Sequence, residues 1–598
     1  METIPSLLLS NSANNSKAPA LRHKHLGIWQ SYTWSEYLDE VLIIAKALKK
    51  DISGGDVVAI YGNNTPELIF SMAAVFGLGA SVVPIHPEVT KEELSTTISK
   101  TGATCLIVED QQQVDNFLSV ESTCKGIKKI IYVNERGLNE YKDPKLQSLE
   151  KLISGKLSIS EFTSLVKKIN QKSVAFNCFS EEDYEIYKIS HESAISNAKK
   201  IAKANSITIK DTILFYLPLS ITANLVFTYM LSFTKGLCLS CPESNQTIET
   251  DLQEIGPSIL YAPSFVYRHI ITSISYRIEA ATEKNYNRYS KNYDSLMRIY
   301  NRSITGKSGV FDSLIKLYLM LTTFWPAKNV FGLSNVKHAF VSDGVLSPST
   351  FNFFHSIGLP IQHTFGQTQS VGCITMQSKD DVSSRNCGQA LSNVKIKRSD
   401  EEEIIYKSDC TSEPNSGDWI KSGHCGEIDK DGNLIVSGRL CNLETLKNGK
   451  TFSPEYIENL ISCSPFIRSS MVSGDGEKNN SCLIVIEGSS VNSWADRMNL
   501  RYTGYAELAS LAEVYKLVKE HIKEVNKELD SDLRIKNFAI LHRQLMVSDG
   551  EVSKTMDIIR KVSRKNLSDV FSAFSKGDKS CKVTESNKAE YSIKIEAV

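Results

Sequence analysis

The sequence predicts an α/β fold with a large N-terminal domain and a small α+β C-terminal domain. Three observations carry this. Short β-branched runs alternate with helical segments through residues 57–133. The pattern changes near Arg439–Asn442. Beyond that point one long amphipathic helix lies between two apolar strands.

Val57–Gly62 is apolar and β-branched, as a buried strand should be. Asn63-Asn64-Thr65-Pro66-Glu67 then starts a helix, with a polar cap, Pro at the first helical position and an acid in the first turn. Leu68, Met72, Val75 and Phe76 form its apolar face, and Gly77 and Gly79 end it. Ser81–His86 is the next strand and Thr90–Lys100 the next helix; Cys105–Glu109 and Lys129–Val133 follow as strands. This order predicts a mostly parallel sheet with helices on both faces. Ile213–Phe233 is the most apolar long stretch, but Pro218 and Asn224 mark it as buried core rather than a membrane span. Tyr276–Lys328 reads as a helical insertion, with a solvated charged face as the alternative. Within it, Leu314–Trp325 could lie on a membrane surface, although burial is the preferred reading. Leu511, Val514, Val518, Ile522, Val525 and Leu529 define the long C-terminal helix, between strands at Cys482–Glu487 and Asn537–Leu541. Tyr591–Ile595 is a weak strand in a terminal hairpin or a loose end.

Composition narrows the function. Lys+Arg and Asp+Glu both number 68, so no overall basic field gathers nucleic acid. Apolar residues at 41% support a large core and exclude wholesale disorder. Thirteen scattered cysteines suit a reducing compartment, and the apolar run Ile4–Leu9 is too short for a signal peptide. The expected location is therefore cytoplasmic, with at most peripheral membrane contact. Generic motifs add little. Gly306-Lys307-Ser308 lacks the partner glycine of a phosphate loop, since position 301 is Asn301. Cys238 and Cys241 form a lone CxxC and read as buried thiols, and His363 reads as structural.

Longer strings are specific. Gly27-Ile-Trp-Gln-Ser-Tyr-Thr-Trp34 opens a series continued by Leu217-Pro-Leu219, Pro242-Glu-Ser244 with Glu254-Ile-Gly-Pro257, and Phe365-Gly-Gln-Thr368. Gly423, Gly432, Gly438-Arg439, Ser453-Pro-Glu-Tyr-Ile-Glu458 and Asn492-Ser-Trp-Ala-Asp496 with Leu500-Arg-Tyr502 complete it. In this order they resemble bacterial long-chain fatty acyl-CoA synthetases of the adenylate-forming (AMP-binding) superfamily. The resemblance implies a domain at 1–438 that binds ATP and fatty acid and includes a smaller β subdomain. It also implies a mobile domain at 439–598 that rotates between adenylation and thioester formation. The family uses ATP, Mg²⁺ and CoA.

The motif residues depart from the family pattern. The family's Gly/Ser/Thr-rich loop holds the β- and γ-phosphates through main-chain N–H groups. Here Tyr187-Lys-Ile-Ser-His191 is read as joining its two ends directly, with the loop deleted. The Mg-binding Glu position is Gln369, a poor ligand for a hard dication. Phe365, before Gly366 and Thr368, keeps the adenine-stacking aromatic, while Asp343 stands at a glycine of the adenine pocket. The ribose-binding Asp is His424, and Arg439 is retained. The hinge pair is Cys441-Asn442. The catalytic Lys, in a Thr-x-Lys string, is Asp557 after Thr555-Met. Losing such a charge costs on the order of 10²–10³ in rate, by analogy with oxyanion donors. Ile221 and Asn224 replace an aromatic or His and a Glu that line the acyl site.

The resemblance with these losses implies a catalytically inactive or severely impaired synthetase-like protein that binds no cofactor and regulates an active paralogue. Two alternatives stay open: a module that binds fatty acid or acyl-CoA, and an active ligase with a rebuilt site.

Overall fold

The computed structural model describes residues 2–180, 183–342, 344, 346–412, 418–553, 557–584 and 590–598. Asp343 and Thr555 lie outside the described residues.

Among the described residues, the first sheet has seven strands. Val57–Tyr61 lies at its centre, with Cys105–Val108, Lys129–Tyr132 and Leu146–Ser148 to one side and Ser81–Ile85 and Val174–Phe179 to the other. These pair in parallel, and Ile186–Ser190 adds an antiparallel edge beside Val174–Phe179. Buried on both faces, the central strands read as unbroken apolar runs. The Pro66–Gly77 helix starts on Pro66, as expected. Thr90 closes a capping box on Lys91–Thr101: its hydroxyl accepts from Glu93 N while the Glu93 carboxylate accepts from Thr90 N.

A second sheet of nine strands carries Thr212–Leu214, Cys238–Cys241, Ile259–Pro263, His338–Ser342 and Ile361–Phe365 in parallel, with antiparallel strands at both edges. One continuous apolar core joins it to the first sheet through the helices Trp34–Leu48, Pro66–Gly77 and His191–Ala204. Ile213–Phe233 is part of that core, as expected for a stretch broken by Pro218 and Asn224. Phe227 is fully buried between Tyr261, which it stacks on at 4.8 Å, and Phe340 at 5.0 Å. His191 is buried; its Nδ1 accepts from Ile4 N at 3.4 Å, and burial pulls its pKa down to about 4. His363 is likewise structural: Nε2 accepts from Leu346 N at 3.0 Å. Cys238 and Cys241 are free thiols buried within a strand, and burial pushes Cys238 up to about 11.

A four-stranded antiparallel sheet, Val394–Arg398 through Leu434–Arg439, follows the nine-stranded one. The C-terminal unit is a five-stranded sheet with the Ala512–Glu528 helix on one face. The tail resolves as a hairpin: Glu590–Ala597 pairs with Ile535–Ile540 and with Ser580–Thr584.

The helical insertion is present as Ser264–Glu279, Glu283–Ile304, Val310–Leu319 and Trp325–Val330. Its last two helices correct the reading of Leu314–Trp325. Leu319 and Phe324 do point inward, but Leu314, Leu317, Tyr318, Leu321 and Trp325 are exposed. The segment is apolar on both faces, and only one face has protein to pack against. Among the described residues no helix is long and apolar enough to cross a membrane.

Candidate functional site

The structure brings several of the expected residues together at the edge of the nine-stranded sheet. Phe365 ends the Ile361–Phe365 strand, and its ring meets His424 edge-on at 5.2 Å and 82°. His424 in turn pairs in register with Arg439 on the neighbouring strand. The loop after Phe365 is tight. A Cβ on Gly366 would sit 2.5 Å from Gly372 O, so the close backbone approach requires glycine. Thr368 O accepts from Val371 N at 3.1 Å, and Gln369 O accepts from Ser412 N at 3.0 Å. The His191–Ala204 helix braces this loop: Asn197 Nδ2 donates to Val371 O at 2.7 Å and Cys373 O at 3.1 Å. Its Ser193 hydroxyl donates to Thr411 O at 3.2 Å.

His424 is held by its own turn. Nδ1 faces Ser422 O at 2.9 Å, which requires the proton on Nδ1 and leaves Nε2 as the acceptor. An aspartate would offer two oxygens to a pair of ribose hydroxyls; this imidazole offers one lone pair.

The loop deletion expected at Tyr187–His191 falls inside a strand. Tyr187 lies within the strand Ile186–Ser190, which returns antiparallel along Val174–Phe179. The flanking strands end at Phe179 and begin at Ile186, and the sequence between them at 180–185 is Ser-Glu-Glu-Asp-Tyr-Glu, of which Glu181 and Glu182 lie outside the described residues. The resemblance was anchored on Tyr187, whereas the strand that enters the connection ends at Phe179. The connection contains no glycine and four carboxylates. Burial alone would raise Asp183, but hydrogen bonds from Tyr187 and Ser180 outweigh it and hold its carboxyl below the usual value. Asp183 is therefore negatively charged at neutral pH. Lys100 meets the turn from the Lys91–Thr101 helix, pairing with Glu185 at 2.9 Å.

These residues do not fit a Mg²⁺-triphosphate. A phosphate oxygen about 4 Å from a carboxylate is repelled by roughly 1 kcal/mol in water and about 4 kcal/mol at an effective dielectric of about 20. Gln369 brings no charge to a metal.

Asp557 and the acyl-side pair lie elsewhere. Asp557 N donates to Ser553 Oγ at 3.1 Å, and Ser553 N donates back to Asp557 O at 2.8 Å. Its carboxylate acts on Arg268 of the Ser264–Glu279 helix: burial lowers the Arg268 pKa and Asp557 opposes that shift. Arg268 lines a cleft of about 930 Å³ between the N- and C-terminal parts. Tyr216, Leu217 and Pro218 form one side of the cleft, and Ser464, Pro465 and Ile467 the other. Ile221 and Asn224 do not line it. Asn224 is buried, and its amide donates to Leu217 O at 2.9 Å and Pro218 O at 3.2 Å. It shapes the loop behind the cleft wall.

The hinge pair is tied to the Pro454–Ile461 helix. Glu455 accepts from Arg439 N and from Asn442 Nδ2, while Cys441 is exposed. Glu458 pairs with Arg560 at 2.5 Å and accepts from Val472 N at 2.7 Å. The motif Ser453–Glu458 was legible, but its partners Arg439, Asn442 and Arg560 were not, because they lie in separate elements.

Family models match this geometry. The AMP-binding enzyme model covers residues 9–180 and 188–410, and the AMP-binding enzyme C-terminal domain model covers 442–574. The gap at 181–187 falls on the acidic connection. The chain belongs to the AMP-binding enzyme family. Within it, the chain is long-chain fatty acyl-CoA synthetase-like. It is 23% identical to the long-chain-fatty-acid–CoA ligase heimdall of Drosophila melanogaster, over 94% of this chain and 93% of that one. It is 20% identical to the long-chain-fatty-acid–CoA ligase FadD15 of Mycobacterium bovis, over 92% and 93%. Among solved structures, the adenylation domain of a Mycobacterium chelonae carboxylate reductase superposes with a TM-score of 0.72 at 15% identity, covering 96% of this chain and 91% of that one. The anthranilate CoA ligase AuaEII, in complex with anthranoyl-AMP, superposes at 0.67 and 13%, over 96% and 98%.

Proposed function

We propose that this protein is a synthetase-like pseudoenzyme that forms no acyl-adenylate and regulates an active member of its family. The acidic connection at 180–185 carries the reading, because main-chain donors cannot be replaced by side chains elsewhere. Gln369, His424 and Asp557 support it from three other segments. Penalties for cooperating groups are not additive, yet no retained residue supplies what these have lost. The intact cores agree with a scaffold kept for its shape.

A second reading draws on the cleft. Its volume and the apolar Leu217 and Pro465 suit an acyl chain, and Arg268 and Arg468 offer cations to an anionic head, as in a fatty acid or acyl-CoA, against Glu88, Glu109, Glu243, Glu249 and Glu487 on the same lining. Phe227 argues against a deep tunnel behind Leu217, because it fills the space between Tyr261 and Phe340.

Calorimetry with Mg-ATP and ATP–pyrophosphate exchange with palmitate test the first reading. The expected result is binding no tighter than millimolar and exchange at background. Micromolar affinity, or turnover, overturns it. Titration with palmitoyl-CoA separates a binding module from a regulator that acts by protein contact.

A further inference from the structure

We infer that the outward face of the Val310–Val330 segment is a docking surface for a lipid bilayer with anionic headgroups. Phe311, Leu314 and Tyr318 recur at spacings of three and four on the Val310–Leu319 helix, and Leu321 and Trp325, in and after the π-helical turn Met320–Phe324, are exposed with them. Phe311 is 82% exposed and Leu321 63%. The opposite face is buried through Leu319 and Phe324. A surface helix normally turns its apolar stripe inward and its charges out. Here both faces are apolar, and none of the described residues covers the outer one.

The charge around the stripe selects the occupant. Between Glu283 and Val330 there are eight Lys or Arg and three Asp or Glu, in a chain that is neutral as a whole. Lys328 is buried, and Asp312 is buried and paired with Arg302 at 3.2 Å, which leaves six cations against two carboxylates. A second copy of this chain would bring two cationic segments face to face. An anionic lipid surface compensates the charge while its acyl region takes the apolar side chains. Tyr318 and Trp325 are of the residue types that sit at the headgroup boundary. The stripe from Phe311 to Trp325 runs about 20 Å at 1.5 Å per residue, long enough to lie in the interface plane. This inference stands whether or not the protein makes adenylates.

The test is co-sedimentation of the full chain with vesicles of phosphatidylcholine alone and of phosphatidylcholine with phosphatidylserine. Binding to the anionic vesicles is expected, weakened roughly tenfold or more without phosphatidylserine or in high salt. Phe311→Asp with Leu321→Asp should abolish it with the melting temperature unchanged, since both side chains already face solvent. Brominated lipid should quench part of the tryptophan fluorescence, and Trp325→Phe should remove that part. Absence of wild-type binding, or equal binding by the double variant, overturns the proposal. So does a wild-type dimer that the double variant converts to monomer, which assigns the face to self-association.

Discussion

Glu455 accepts a hydrogen bond from the backbone N–H of Arg439 at 2.8 Å, across the point where the four-stranded sheet gives way to the C-terminal unit. Its other oxygen takes the Asn442 amide. One carboxylate thus straddles the segment Leu440–Asn442, where the family resemblance implies a hinge. Gly438 makes room for it: a Cβ there would lie 2.6 Å from Glu455 Oε2 and 2.3 Å from Ser453 Oγ, at a φ of +155°.

Gly438→Ala should therefore displace Glu455 and loosen the hinge. We expect a loss of about 1–3 kcal/mol, typical of overpacking. Glu455→Gln keeps the shape and should cost less, about 0.5–1.5 kcal/mol. Hydrogen exchange at residues 439–442 should accelerate in both variants. Unchanged protection would show that Glu455 does not restrain the hinge.

If the proposed pseudoenzyme reading holds, placing the family's charged residues at 369 and 557 should produce no activity. Gln369→Glu with Asp557→Lys returns a metal ligand and a cation, yet it leaves the acidic connection at 180–185 in place. Pyrophosphate exchange should stay at background in the double variant. Measurable exchange would mean that the acidic connection does not block the reaction.

Local patterns were legible in the sequence, and relations between distant segments were not. The alternating apolar runs placed Val57–Tyr61, Ser81–Ile85 and the Ala512–Glu528 helix, because periodicity and caps are properties of neighbours. The Leu314–Trp325 stripe failed for a physical reason. Periodicity shows that a face is apolar but not whether anything packs on it. The break near Tyr187 was misplaced by one strand, since a hairpin register depends on a partner that the motif does not contain. The approach of Asp557 to Arg268 joins two domains and left no trace in either segment's pattern.

Glu551 should make stability pH-dependent. Its side chain is buried and takes a bidentate pair from Arg543, at 2.7 Å for each oxygen. Burial would raise its pKa, but Arg543 and Asn566 outweigh burial and leave it below the ordinary glutamate value of 4.5. A depressed folded-state value means the stabilisation is present above 4.5 and is lost as pH falls through the folded value. Glu551→Gln should lower stability at neutral pH by about 1–3 kcal/mol. The gap between variant and wild type should close in acid. A gap that is constant with pH in urea titrations would rule out the ion pair as its source.

Arg497 should hold the two domains together. It ends the Gly488–Arg497 helix of the C-terminal unit and reaches the Ser264–Glu279 helix of the large domain. Its guanidinium lies 3.6 Å from the Tyr286 ring centroid, donates to Ile278 O at 2.9 Å and pairs with Glu279 at 2.9 Å. Arg497→Lys keeps the charge but loses the planar fork and the stacking. Both Arg497→Ala and Arg497→Lys should therefore raise the radius of gyration in small-angle scattering, Ala more than Lys. The alanine variant leaves the half-buried Glu279 without its cation, and burial already pushes that carboxyl up. Its domain separation should accordingly be greatest above the Glu279 pKa, where the unpaired carboxylate is charged and seeks water. Scattering profiles that match the wild type across that range would show the docking to rest on the apolar contacts instead.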